Sequence, residues 1–233
     1  MSTVVEVRDL RKIYPMGDDE VIALGGVDLS IAKGEFIAVM GPSGSGKSTF
    51  MQIIGMLDRA TAGTYIFEGQ DVATLSDDDR ADLRSRRLGF VFQSYNLLPR
   101  TSALENVELP MVYAGVPPEQ RREIALAKMD IVGMKALADH MPNQMSGGQQ
   151  QRIAIARSLV NDPALILADE PTGALDTKTS RDVMRIFSEL NTERDITIML
   201  VTHEPDIAAF AKRIVTFRDG HILSDIPNLE RAA

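Results

Sequence analysis

The chain opens on Val4-Val5-Glu6-Val7, an apolar–polar alternation that predicts a half-buried strand. Three later runs are apolar almost throughout: Phe36-Ile37-Ala38-Val39-Met40, Ala164-Leu165-Ile166-Leu167-Ala168 and Ile196-Thr197-Ile198-Met199-Leu200. Each suits a strand buried on both faces, as in a parallel sheet, and is too short to span a membrane. Val91-Phe92 reads as the end of another strand. Ile214–Phe217 and Ile222 flank Asp219-Gly220, a dipeptide that predicts a hairpin turn. Thr49–Ile54 can continue as a helix from a glycine-rich loop. Glu119–Met129 reads as helix, with Pro117 and Pro118 just ahead of it. The expected fold is α/β, with a mostly parallel sheet and antiparallel strands at the N-terminus. One domain is expected over 1–233, with a core of 1–93 and 160–233 and a helical subdomain at about 94–159.

The glycine-rich loop is Gly41-Pro42-Ser43-Gly44-Ser45-Gly46-Lys47-Ser48, which fits the phosphate-binding pattern G-x-x-x-x-G-K-[ST]. Between a strand and a helix, such a loop turns backbone N–H groups toward one point, and the helix dipole adds positive potential. Lys47 can reach the β- and γ-phosphates of a nucleotide, and the Ser48 hydroxyl can ligate Mg²⁺. Thr49, next in line, continues the helix.

Downstream, Met145-Ser146-Gly147-Gly148-Gln149 leads into Gln150-Gln151-Arg152-Ile153-Ala154. Ser146 can cap a helix whose first N–H groups form a second anion site. The segment resembles the signature sequence of ATP-binding cassette (ABC) ATPases, with Met145 where that family usually has Leu. Two phosphate sites far apart in one chain make sense if ATP is held between two copies, head to tail. Ser146, Gly147, Gly148 and Gln149 would then touch ATP on the opposing subunit. Asp169-Glu170 ends an apolar run, at the edge of an open α/β sheet where ligands bind. Asp169 is placed to hold Mg²⁺. Side chains alternate along a strand, so Glu170 is expected to point the other way, as the base for the attacking water.

The resemblance implies further roles, and its motifs occur in the family's order over nearly the whole chain. Gln93 would contact Mg²⁺ and the water. His203, after Val201-Thr202, would contact the γ-phosphate and orient the base. Gly173-Ala174-Leu175-Asp176 resembles the loop that crosses the dimer, and Tyr14 stands where the family stacks an aromatic on adenine. His140 and His221 match nothing and are read as surface or loop residues. The implied activity is Mg²⁺-dependent ATP hydrolysis, coupled to transport through a separate transmembrane permease. Gly89–Pro99, Pro171–Asp176 and Tyr14–Gly17 look like the macrolide-export and lipoprotein-release branch. A cell-division-type cassette that gates a cell-wall hydrolase is the alternative.

Composition narrows the classes. The formal net charge is -8, which argues against nucleic acid as the main partner. Cysteine is absent, in keeping with a reducing compartment. No Asn-Lys-x-Asp segment follows the phosphate loop, which disfavours a guanine-nucleotide switch. Asp77-Asp78-Asp79 reads as a solvated helix start. With no leader pattern and no long apolar run, the expected location is cytoplasmic, peripheral on the inner face of the membrane through the permease. A groove between the core and the helical subdomain is expected to receive a helix of that permease. Gln93 is the expected hinge, and Tyr95, Leu97 and Leu98 the expected exposed apolar patch.

Overall fold

A computed structural model describes residues 2–17 and 19–229. The chain begins with two long strands, β1 (Thr3–Met16) and β2 (Asp19–Ala32), followed by β3 (Phe36–Met40) and helix α1 (Lys47–Ile54). Next come β4 (Ala62–Phe67), β5 (Gln70–Asp71), α2 (Asp77–Arg87) and β6 (Leu88–Phe92). Three helices fill the middle: α3 (Ala103–Tyr113), α4 (Pro118–Ile131) and α5 (Gly147–Ser158). The remainder is β7 (Leu165–Asp169), α6 (Thr177–Arg194), β8 (Thr197–Val201), α7 (Pro205–Ala208), β9 (Arg213–Arg218) and β10 (His221–Pro227).

The strands form two sheets. The larger runs β10-β9-β3-β8-β7-β6, and the smaller, antiparallel one runs β2-β1-β4-β5. Strands β9, β3, β8, β7 and β6 are mutually parallel, and β10 pairs antiparallel with β9. The apolar runs are buried on both faces for the expected reason. Phe36, Ala38, Ile166, Ala168, Ile198 and Leu200 join one cluster with α3, α4, α5 and α6. Their neighbours Ile37, Val39, Leu165, Leu167, Met199 and Val201 join another with α1 and the small sheet. The result is three layers, with the parallel sheet in the middle.

The helical stretch at 94–159 shares its core with the sheet. Ala103, Val107, Met111, Ala125 and Met129 lie in the same cluster as Val91 and Ile166. The β9–β10 connection is the two-residue turn read from the sequence: Asp219 (φ 48°) and Gly220 (φ 76°) are both left-handed. His221, read as a loop or surface residue, is exposed but begins β10. Its ring lies so close to Gly25 that a Cβ there would be 2.3 Å from Nε2. Ser76 caps α2, with Asp77, Asp78 and Asp79 in the first turn, where negative charge meets the helix dipole.

Candidate active site

Four adjacent parallel strands end at one level. Val39 of β3 pairs with Val201 of β8, Val201 with Asp169 of β7, and Asp169 with Phe92 of β6. The residues just past these ends are the phosphate loop, His203, Glu170 and Gln93. Segments more than a hundred residues apart thus converge on one edge of the sheet.

The phosphate loop is wedged between β2 and the β9–β10 turn. A Cβ on Gly41 (φ 147°) would lie 2.3 Å from the Phe217 carbonyl oxygen. One on Gly46 (φ 101°) would lie 2.6 Å from that of Ala23. No side chain fits at either position. Gly220 N–H donates to the Ser45 carbonyl at 3.1 Å, tying the turn to the loop. Ser43 and Gly44 at its crest, Pro42 beside them and the Ser48 side chain are exposed. Lys47 is buried, and its Nζ donates to the carbonyls of Gly41 and Pro42, both at 2.8 Å. Burial lowers its pKa, and the charges of Glu170 and Asp169 oppose that shift. The ammonium therefore faces two carboxylates while its donors hold the loop's own carbonyls.

Asp169 has its pKa raised, first by burial, then by Glu170, against the pull of Lys47. Glu170 departs from the alternation argument. It lies beyond the strand, with a left-handed backbone (φ 42°), so a turn and not the pleat aims its carboxylate. Its N–H donates to the Val201 carbonyl at 2.9 Å, and its Oε1 lies 2.8 Å from His203 Nδ1. The proposed base and switch histidine are in direct contact. Gln93 is exposed, and its amide covers the same turn: a Cβ on Gly173 would lie 2.6 Å from Nε2.

The signature residues begin α5 (Gly147–Ser158). Ser146 caps α5 by accepting from Gln149 N–H at 3.3 Å, and Gln149 Oε1 accepts the Ser146 N–H at 2.8 Å. The hydroxyl has a structural task beside any ligand role. Met145, in the leucine position, is buried. Asp176 caps α6, accepting from Lys178 and Thr179 N–H and from the Thr179 hydroxyl at 2.6 Å. The hydroxyl and N–H groups of Thr179 hold its pKa low. Tyr14 reaches the turn that follows α1. Its hydroxyl donates to Asp58 at 2.8 Å, and Lys12 Nζ stands 4.6 Å over the ring centroid. One face of the ring is thus covered, which leaves a single face for a base.

The expected patch at 95–98 does not form. Leu97 packs against the core and the Tyr95 hydroxyl crowds Gly147, so only Leu98 is exposed. A groove of about 730 Å³ opens nearby, lined by Leu57, Phe90, Leu109, Pro110, Tyr113 and Arg157 among others. Residues that the sequence did not single out hold this region. Arg157 is half-buried, desolvation lowers its pKa, and its guanidinium donates to the carbonyls of Asn96 (2.6 Å) and Tyr95 (2.8 Å). Those two residues are consecutive and left-handed, at φ 50° and 58°. Gln151, fully buried, donates from Nε2 to the Pro171 carbonyl at 2.6 Å. Both lie on the signature helix, and nothing in their spacing names a partner.

The family model described as ABC transporter matches residues 24–173, which hold the phosphate loop, signature and carboxylates. The chain belongs to the ABC transporter family. The uncharacterized ABC transporter ATP-binding protein YknY of Bacillus subtilis is 52% identical over 220 residues, covering 94% of this chain and 95% of its own length. The macrolide export ATP-binding/permease protein MacB of Syntrophobacter fumaroxidans is 51% identical over 99% of this chain, which covers 33% of that protein. The chain therefore spans about a third of the length of that relative. The ATP-binding cassette MJ0796, in a dimeric post-hydrolysis state bound to ADP and Pi, superposes with a TM-score of 0.88 at 43% identity. That match covers 96% of this chain and 98% of the other. The fold is the α/β cassette fold, and the chain is an ABC ATPase domain. Among the described residues, no helix is long and apolar enough to cross a membrane.

Proposed function

We propose that the chain is the ATP-driven subunit of an ABC transporter of the macrolide-export and lipoprotein-release type, acting as a homodimer on a separate membrane permease. The observation that carries this reading is the convergence of Lys47, Glu170, His203 and Gln93 on one sheet edge. YknY, an ABC transporter ATP-binding protein that this chain covers to 95% of its length, supports the ATP-binding role. The dimeric MJ0796 cassette supports pairing of two copies.

The loop N–H groups would take the phosphates, and Lys47 would exchange the Gly41 and Pro42 carbonyls for phosphate oxygens. Ser48, Asp169 and Gln93 offer hard oxygen donors, the set that suits Mg²⁺, and the raised pKa of Asp169 marks a carboxyl that gains from a nearby cation. Bound there, Mg²⁺ would neutralise charge on the β- and γ-phosphates. Glu170 would accept the proton of the attacking water, with His203 fixing its carboxylate. Ser146 and Gly147 of the second copy would close the site over the γ-phosphate. Segment 94–159 would act as the lever, its groove receiving a cytoplasmic helix of the permease. The location is then the inner membrane face, by way of that partner.

The test is hydrolysis by the purified chain with and without Mg²⁺, beside Lys47→Ala, together with identification of the membrane protein that co-purifies from native cells. Magnesium-dependent phosphate release that Lys47→Ala abolishes, and an export permease as partner, are the expected results. A cell-wall-hydrolase regulator as partner would replace the transport reading with the cell-division one.

A further inference from the structure

Gln151 stands at a junction that the proposed mechanism does not use. Its side chain is fully buried on the signature helix, and Nε2 donates to the Pro171 carbonyl at 2.6 Å. Its Oε1 has no hydrogen-bond partner, and neither has the hydroxyl of buried Thr172, the next residue along that turn. A buried amide with one lone acceptor is costly, so the residue is present for the bond it donates. Pro171 directly follows Glu170, and the Glu170 carbonyl accepts from Gly173 N–H at 3.0 Å. The turn that gives Glu170 its left-handed backbone is thus held from behind by the signature helix.

Two closer contacts reinforce the junction. A Cβ on Gly147 would lie 3.2 Å from Leu175 Cδ2, and one on Gly148 would lie 2.3 Å from Thr179 Cγ2. The start of α5 is therefore seated without clearance on the residues that follow Glu170. The Gln93 amide also lies against that turn, at Gly173.

We propose that Gln151 is a positioning residue for Glu170, and that it transmits the engagement of this chain's signature by the second copy's ATP to this chain's own base. This rests on the reading that Glu170 is the base and that the signature meets the opposite ATP. Each cassette takes part in two composite sites, one through its phosphate loop and Glu170, the other through Ser146 and Gly147. The Gln151–Pro171 bond joins these two halves within one chain. A small displacement of α5 on closure becomes a displacement of the carboxylate, and placement errors near 1 Å cost on the order of 10²-fold in rate.

The experiment compares wild type with Gln151→Met and Gln151→Glu in the full chain, measuring kcat, KM, the Hill coefficient for ATP and thermal stability from pH 6 to 8.5. Methionine fills the space without a donor. The expected result is a kcat lower by about tenfold or more, a Hill coefficient near one, and a KM within about twofold of wild type. Glutamate gives the sharper readout. Ionised, it places an acceptor against the Pro171 carbonyl. Protonated, it restores a donor, and burial raises its pKa toward the tested range. Its kcat relative to wild type should therefore rise as the pH falls, which a merely destabilised core would not produce.

A folded Gln151→Met with wild-type kcat and cooperativity would overturn the proposal. So would a Gln151→Glu variant whose kcat ratio to wild type is flat with pH, and this second measurement decides the matter if the methionine variant does not fold. Glu170→Gln and Ser146→Arg, run in parallel, separate the two levels. Full turnover in Glu170→Gln removes the base assignment, and full ATP-dependent pairing in Ser146→Arg removes the signature contact. Either would show that the underlying reading, and not Gln151, had failed.

Discussion

Glu170 occupies a backbone conformation that non-glycine residues seldom adopt, and it lies within hydrogen-bond distance of His203. Strain of this kind is characteristic of functional positions. Replacing Glu170 with Gln preserves size and an oxygen for His203 but removes the base. We expect single-turnover hydrolysis to slow by roughly 10²-fold or more, with ATP binding retained. Turnover within a few-fold of wild type, in material free of contaminating ATPase, would remove Glu170 from that role. Asp169 tests the electrostatics. Burial and the neighbouring Glu170 raise its folded-state pKa above the unfolded value. Its ionisation therefore costs stability, fully so above the folded pKa, and the cost disappears as pH falls through that value to the unfolded one. Asp169→Asn should raise the melting temperature of the nucleotide-free, metal-free protein at neutral pH while abolishing hydrolysis. That gain should vanish in strongly acidic buffer. A melting temperature that falls at pH 7 would contradict the assigned cause.

At the scale of elements, the segment after Gln93 is held by a side chain far from any motif. Asn106, fully buried on α3, accepts from Leu98 N–H at 2.7 Å and donates to the Thr101 hydroxyl (2.8 Å) and the Ser102 carbonyl (2.9 Å). Asn106→Leu keeps the branched shape and orphans these groups. The expected cost is about 1–3 kcal/mol in denaturant unfolding, and a change within error would mean that the loop rearranges freely. The groove beside this segment makes a separate prediction. Tyr113, the last residue of α3, is 77% exposed on its rim. Tyr113→Asp should leave basal ATPase intact and strongly reduce stimulation by the reconstituted permease, because an unpaired charge would face an apolar contact. Leu98→Asp should have less effect, since Leu98 is exposed but does not line the groove. Equal stimulation in wild type and Tyr113→Asp would move the docking surface elsewhere.

At the scale of the whole molecule, the proposed ATP site is completed by a second copy. On that reading the signature at the start of α5 closes over ATP held by the opposite phosphate loop. Two copies each carrying a formal charge of -8 repel, and ATP with its cation would bridge them. Glu170→Gln with saturating Mg-ATP should sediment as a dimer and without nucleotide as a monomer. The dimer should strengthen as ionic strength rises from low to physiological, because screening relieves the repulsion. A monomer under all these conditions would exclude the head-to-tail arrangement.

How much was legible in the sequence follows from which interactions are local. Apolar runs at Phe36–Met40 and Ala164–Ala168 announce strands buried on two faces. Asp219-Gly220 announced its turn, because turn chemistry resides in two adjacent residues. The phosphate loop and the signature were legible because their glycines are required at fixed spacing by backbone geometry. Strand order was not. Only the pairing of β3 with β8, β8 with β7 and β7 with β6 placed Lys47, His203, Glu170 and Gln93 side by side. The alternation argument does not reach Glu170, since alternation ends where the strand does and a left-handed turn takes over. Gln151, Arg157 and Asn106 carry no signal in the sequence for a related reason. Each is a polar residue whose partner is a carbonyl or N–H exposed by an irregular turn. Irregular turns are fixed by what packs around them, and that packing exists only once the distant segments have met.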